Sequence, residues 1–141
     1  MLVVLEGCDG TGKSTLAGFL AQLLNAEVVH CTSKTPNDLN FFLDLLRVAR
    51  DKNVIADRFC YGQFVYQQPN ERRLSEANLR VLEVALLREG AKVIHVTAPE
   101  DVVTARLAGR GETTPIDVKT LLSRFESVMS ESILPVIKYT T

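Results

Sequence analysis

Gly7, Gly10, Gly12, Lys13 and Ser14 stand in the spacing Gly-x-x-x-x-Gly-Lys-Ser. Residues of these types in this order can hold a chain of phosphates. The glycines permit a tight turn and let the backbone approach oxygen atoms that a side chain would keep away. Successive N–H groups of the loop, with Gly7, Asp9, Gly10, Thr11 and Gly12 as its binding residues, can face inward as an anion nest. A helix opening at Lys13, with Ser14 and Thr15 in its first turn, adds unpaired N–H donors and the positive end of its dipole. Lys13 can reach the β- and γ-phosphates, and the Ser14 hydroxyl can ligate Mg²⁺, so the expected ligands are ATP and Mg²⁺. The motif alone leaves the fate of the phosphate open, because kinases, switches and motor ATPases all use it.

Two further groups can act on a phosphoryl group. Val54-Ile55-Ala56-Asp57-Arg58 is an apolar run ending in an acid and a base. An acid at the carboxyl end of a buried strand points into the crevice where open α/β sheets bind ligands. Asp57 can hold the metal's water shell or take a proton from an attacking oxygen, and Arg58 can grip a second anion. Arg106-Leu107-Ala108-Gly109-Arg110-Gly111-Glu112 places two arginines four apart, on one helix face if the helix extends that far. Its glycines can hinge a closing segment, about residues 106–115, that brings guanidinium groups onto the transferring phosphoryl.

These residues need elements to position them. Leu2–Leu5 reads as a strand buried on both faces, and Lys13–Leu24 as a helix with Leu16, Phe19, Leu20, Leu23 and Leu24 on its packed stripe. Glu27–His30 is a second strand. Thr35-Pro36-Asn37-Asp38 reads as an N-cap with proline at the first helical position, followed by a helix through Phe41, Phe42, Leu45, Leu46 and Ala49. Asn53–Asp57 is the third strand. Ser75 caps a helix that Gly90 stops, and Lys92–Thr97 is the fourth strand. Pro99 opens a helix reaching about Ala108, Thr114-Pro115-Ile116-Asp117 starts the last helix, and Val136–Tyr139 is the fifth strand. Strand and helix alternate, so the expected fold is α/β: a three-layer P-loop NTPase architecture with a five-stranded parallel sheet flanked by helices.

Bulk properties bound the answer. At 141 residues, a single domain over 1–141 is expected, with core enough to dispense with staples. A net charge of −1 argues against general nucleic-acid binding. Cys8, Cys31 and Cys60 are odd in number and match no metal spacing, which reads as reduced thiols. His30 and His95 read as structural or strand-end residues, and Phe19 and Phe125 as packing. The apolar start is too short to span a bilayer and lacks the basic flank of a signal peptide, so no membrane association and a cytoplasmic location are expected.

Three stretches together resemble the thymidylate kinase family of nucleoside monophosphate kinases. Leu5-Glu6-Gly7-Cys8-Asp9-Gly10-Thr11-Gly12-Lys13-Ser14 is similar to that family's Phe-Glu-Gly-x-Asp-Gly-x-Gly-Lys-Thr/Ser opening. Asp57-Arg58-Phe59-Cys60-Tyr61-Gly62-Gln63-Phe64-Val65-Tyr66-Gln67 resembles its Asp-Arg-Tyr-x-x-Ser-x-x-Ala-Tyr-Gln segment, and Arg106 to Gly111 its arginine-bearing lid. The resemblance implies phosphoryl transfer from ATP to a nucleoside monophosphate, dTMP or a related deoxynucleotide. It also implies roles: Asp9 near the acceptor's 3′-hydroxyl, Arg58 on the acceptor phosphate, and Tyr66 and Gln67 lining the base pocket. With no basic side chain in Gly10-Thr11-Gly12, catalytic arginines are expected in the lid, as Arg106 and Arg110. Homodimers are common in that family.

The chain departs from the family pattern in length and in three places. Cys31-Thr32-Ser33-Lys34-Thr35-Pro36 replaces the usual Arg-Glu-Pro-Gly stretch, Gly62 replaces a serine, and Thr141 follows the fifth strand directly. The last departure implies a shallow adenine site, and the short form would suit a virus-encoded enzyme. Two other functions compete. A nucleoside or small-hydroxyl kinase would use Asp57 as general base. A nucleotide-binding module with little turnover would have no evident use for paired arginines.

Overall fold

A computed structural model describes residues 1–141. Five strands form one sheet: β1 (Leu2–Glu6), β2 (Glu27–His30), β3 (Val54–Asp57), β4 (Lys92–Thr97) and β5 (Val136–Thr140). All neighbours pair in parallel, in the order β2-β3-β1-β4-β5. Register brings Leu5 opposite Asp57, and His30 opposite Asp57 from the other side. The phosphate loop and the strand-end acid therefore emerge side by side at one edge of the sheet.

Helices cover both faces. They are α1 (Lys13–Leu24), α2 (Leu39–Val48), α3 (Gln63–Tyr66), α4 (Glu76–Arg88), α5 (Glu100–Gly109) and α6 (Val118–Ser130). Alternation along the strands divides the core. Leu2, Val4, Val54 and Ala56 pack with Phe42, Leu46, Leu82, Leu86 and Met129 from α2, α4 and α6. Val3, Leu5 and Ile55 pack with Ala17 and, around them, Leu16, Leu20 and Leu24 of α1. β1 and β3 are buried at every position, which is why their sequence shows no polar face. β5 is an edge strand and largely exposed. No helix is long and apolar enough to cross a membrane.

Several local expectations are corrected. The stripe on α1 is wrong at two positions: Phe19 is 63% exposed and Leu23 68%, while the buried face is built on Lys13 and Ala17. The tight approach of this helix to the sheet favours a small residue where periodicity suggested leucines. Thr35-Pro36 does not open α2. Thr35 Oγ1 instead closes a turn onto the Thr32 carbonyl at 2.8 Å, and Asp38 is the cap, accepting the Phe41 N–H at 2.9 Å. Asp117 likewise caps α6, accepting the Thr120 N–H at 3.0 Å, three residues after the expected start. Asx caps outcompete Thr-Pro here because the carboxylate reaches the free N–H directly. The short helix α3 and the 3₁₀ turn Pro69–Glu71 carry too few residues for a periodic signal.

Candidate active site at the phosphate loop

The loop between β1 and α1 is built as its glycines require. A Cβ on Gly7 would meet the Val96 carbonyl oxygen at 2.1 Å, so only glycine fits there. Gly10 and Gly12 have φ of 84° and 93°, in the left-handed region. Thr11 is buried, and its hydroxyl donates to the Cys8 carbonyl at 2.8 Å, so this side chain braces the loop and leaves its backbone to face a ligand. Lys13 is buried as well. Its Nζ donates to the Cys8 carbonyl at 2.9 Å and lies 4.0 Å from Asp9 Oδ1. Burial holds the Lys13 ammonium below the usual lysine range, with Asp57 and Glu6 pulling it back up. A polyanion at the loop would restore what burial takes away.

Opposite the loop, Ser14 Oγ donates to Asp57 Oδ2 at 2.9 Å. The same carboxylate oxygen meets His30 Nδ1 at 3.1 Å. Ser14, Asp57 and His30 line one cavity of about 530 Å³ together with Lys13, Thr15, Arg58 and Arg110. A hydroxyl and a carboxylate are hard oxygen donors of the kind Mg²⁺ takes, and Mg²⁺ needs only one or two of them when phosphates and water complete its shell. No cluster of three metal-ligating side chains competes with that arrangement. His30 sits at the strand end as expected, but its contact with Asp57 went unforeseen; the parallel register of β2 and β3 creates it.

Arg58 directly follows Asp57 and has φ 70°, a strained conformation for a side-chain-bearing residue, of order 1–3 kcal/mol. Its guanidinium pairs with Asp9. Both lie at the boundary between the phosphate cavity and a second one of about 310 Å³, which Tyr66, Gln67, Gln63, Phe125 and Glu6 help to line. The Tyr66 hydroxyl and Gln67 Oε1 are buried without a hydrogen-bond partner. Polar atoms left in this state at a cavity wall point to a ligand that satisfies them. Phe125 does pack, against Tyr66 and His95, but it also walls this cavity.

The two lid arginines differ. Arg106 Nη1 donates to the Gly10 carbonyl at 3.2 Å and to Thr141 Oγ1 at 3.0 Å, so it is already fastened to the phosphate loop. Arg110 is exposed, 3.7 Å from Glu112, and reaches the phosphate cavity. α5 stops at Gly109, so Arg110 is its C-cap residue and not a further member of the same helical face. Of the two glycines, only Gly111 adopts a positive φ, 67°. Both arginines border a third cavity, of about 660 Å³, with Phe19 on α1 and Tyr139 on β5. It shares Gly10, Gly12, Thr15 and Arg110 with the phosphate cavity. The exposed ring of Phe19, expected to pack, is part of this wall.

The fold recurs in solved structures. The YorR protein from Bacillus subtilis, in complex with phosphorylated GDP, has a TM-score of 0.84 and 28% identity over 99% of this chain and 85% of that one. Deoxyadenosine kinase from M. mycoides with bound dCTP has a TM-score of 0.60 and 15% identity, over 100% of this chain and 89% of that one. Polyphosphate Kinase 2 from Arthrobacter aurescens TC1 has a TM-score of 0.65 and 13% identity, over 99% of this chain and 60% of that one. The chain has the fold of the P-loop kinases. No protein-family model and no curated protein sequence matches it. Within this P-loop kinase fold, Lys13, Ser14 and Asp57 meet in one cavity, with Arg58 and Arg110 at its margins.

Proposed function

We propose that this chain transfers the γ-phosphoryl group of Mg·ATP to a nucleoside monophosphate, dTMP or a related deoxynucleotide. The observation that carries the reading is the position of Arg58. It stands between the cavity holding Lys13, Ser14 and Asp57 and the cavity holding Tyr66 and Gln67. A donor phosphate on one side and an acceptor phosphate on the other would meet beside that guanidinium.

The roles follow from position. The loop amides and Lys13 bind the β- and γ-phosphates. Ser14 and Asp57 would hold Mg²⁺, which supplies charge neutralisation to the phosphates when bound. Arg58 holds the acceptor phosphate, while Asp9, its ion-pair partner, orients it and stays near the acceptor sugar. Arg110 closes on the moving phosphoryl, and Arg106 keeps the loop in shape by holding the Gly10 carbonyl. Tyr66 and Gln67 face the acceptor base; a carbonyl oxygen without a donor fits a base that presents an N–H. Phe19 and Tyr139 flank the donor base. Catalysis on this reading is positioning and charge stabilisation.

One observation favours a second reading. Ser14 and His30 both contact Asp57 Oδ2, and neither contacts Oδ1. A free, oriented carboxylate oxygen suits a general base for a hydroxyl acceptor. A coupled ADP-release assay with Mg·ATP across nucleoside monophosphates and nucleosides decides between them. Diphosphate product from a monophosphate supports the first reading and monophosphate product from a nucleoside the second. ATP binding with no product from any acceptor overturns both.

A further inference from the structure

Glu6 ends β1, immediately before the phosphate loop, and is only 1% exposed. It lies on the face of β1 shared by Leu2 and Val4, and it lines the cavity that holds Tyr66 and Gln67. A buried carboxylate demands donors, and these come from one loop. Glu6 Oε2 accepts the Tyr61 N–H at 2.7 Å, and the amides of Phe59 and Gly62 favour its charged form as well. That loop begins at Arg58, whose own N–H donates to the Leu5 carbonyl at 3.0 Å. Two consecutive residues of β1 thus hold the loop at both ends, Leu5 through its backbone and Glu6 through its side chain. A positive φ at an arginine persists only where the surroundings over-determine it. These two anchors supply that constraint.

The geometry points to Glu6 as the positioning residue of the acceptor site: by fastening the loop backbone at Tyr61, its carboxyl group keeps Arg58 in the left-handed conformation that aims its guanidinium at Asp9 and the acceptor cavity. Glu6 touches neither phosphate group on this account and acts through Arg58. The inference rests on the reading of that cavity as the acceptor site.

The test is steady-state kinetics of the full chain with Mg·ATP and dTMP, or whichever monophosphate turns over, on the wild type, Glu6→Gln, Arg58→Ala and the double variant, with a thermal melt of each. Glutamine keeps the shape but offers the loop amides only one acceptor oxygen and no charge, so its N–H₂ opposes any second amide. Glu6→Gln is expected to raise the acceptor KM about tenfold, leave the ATP KM within about twofold, and add little once Arg58 is alanine. Equal rises in both KM values, or an acceptor defect that persists undiminished in the Arg58→Ala background, would overturn the inference. If Glu6→Gln does not fold, Glu6→Asp takes its place in the same cycle. Failure of both to fold makes Glu6 a core residue and nothing more, and overturns the inference too. A wild-type chain that phosphorylates no monophosphate defeats the acceptor-site reading itself, and does so before any variant is made.

Discussion

Ser14 Oγ donates to Asp57 Oδ2 at 2.9 Å, joining the first turn of α1 to the end of β3 across 43 positions of sequence. The contact pre-assembles two oxygen donors beside the phosphate loop. Asp57→Asn keeps the hydrogen-bond geometry but removes the charge. The expected outcome is an apparent Mg²⁺ requirement raised about 10–100-fold, with partial recovery of kcat at high Mg²⁺. A metal titration of the rate checks it. Complete loss that no Mg²⁺ concentration restores would instead favour Asp57 as general base.

The cavity proposed for the donor base makes a separate prediction. Phe19 is exposed and lines the cavity next to Gly12 and Arg106. Phe19→Ala is expected to raise the ATP KM about tenfold, the scale of one lost stacking contact, with the acceptor KM and the melting temperature nearly unchanged. Kinetics in both substrates, with a melt alongside, measure this.

Gly7 lies against the Val96 carbonyl, where an added Cβ would sit 2.1 Å from oxygen. The obstructing atoms are a backbone carbonyl, which cannot swing aside as the end of a side chain could. Gly7→Ala is therefore expected to cost about 4 kcal/mol or more, in the range reserved for strained or overpacked sites. Denaturant unfolding reads this directly.

Away from the site, Glu83 is fully buried on α4. It accepts from the Tyr61 hydroxyl at 2.8 Å, the Ser132 hydroxyl at 2.7 Å and the Ile133 N–H at 3.3 Å, and it pairs with Arg80. Glu83→Ala removes the acceptor these groups share and leaves a void, while the Tyr61 and Ser132 hydroxyls keep each other at 3.0 Å, and it is expected to cost about 2–4 kcal/mol. Tyr61→Phe removes one hydroxyl from the same network and should cost about 1–2 kcal/mol.

Glu6 predicts a pH dependence of stability. Burial pushes its carboxyl up to about 7 from an ordinary 4.5, against the pull of the Tyr61 and Phe59 amides and of Lys13. Between those values the folded state keeps a proton that the unfolded chain has released. The contribution of this group is therefore fully present below pH 4.5 and is lost as pH rises through about 7. Relative to Glu6→Gln, the wild type should lose about 3 kcal/mol of stability across that window, and paired unfolding curves at several pH values measure the difference.

The architecture was legible because its signals are local. Apolar runs such as Val3-Val4-Leu5 and Val54-Ile55-Ala56 are doubly buried strands and show it in composition alone. The Ser75 cap and the start of α1 at Lys13 also stood where residue type put them. Helix starts at Thr35 and Thr114 failed because capping is decided by which oxygen reaches a free N–H, and Asp38 and Asp117 reach it.

What the sequence determined by itself was the phosphate loop, since glycine spacing and Lys-Ser act within eight consecutive residues, Gly7 to Ser14. Only the tertiary structure decided what that loop works with. Parallel register sets His30 beside Asp57; burial turns Glu6 from a motif residue into a clamp on the loop of Arg58; helix packing turns Phe19 outward and leaves Arg106 holding the Gly10 carbonyl. Each of these is a contact between residues far apart in the chain, formed by the sheet's crossing connections, and no local pattern encodes it.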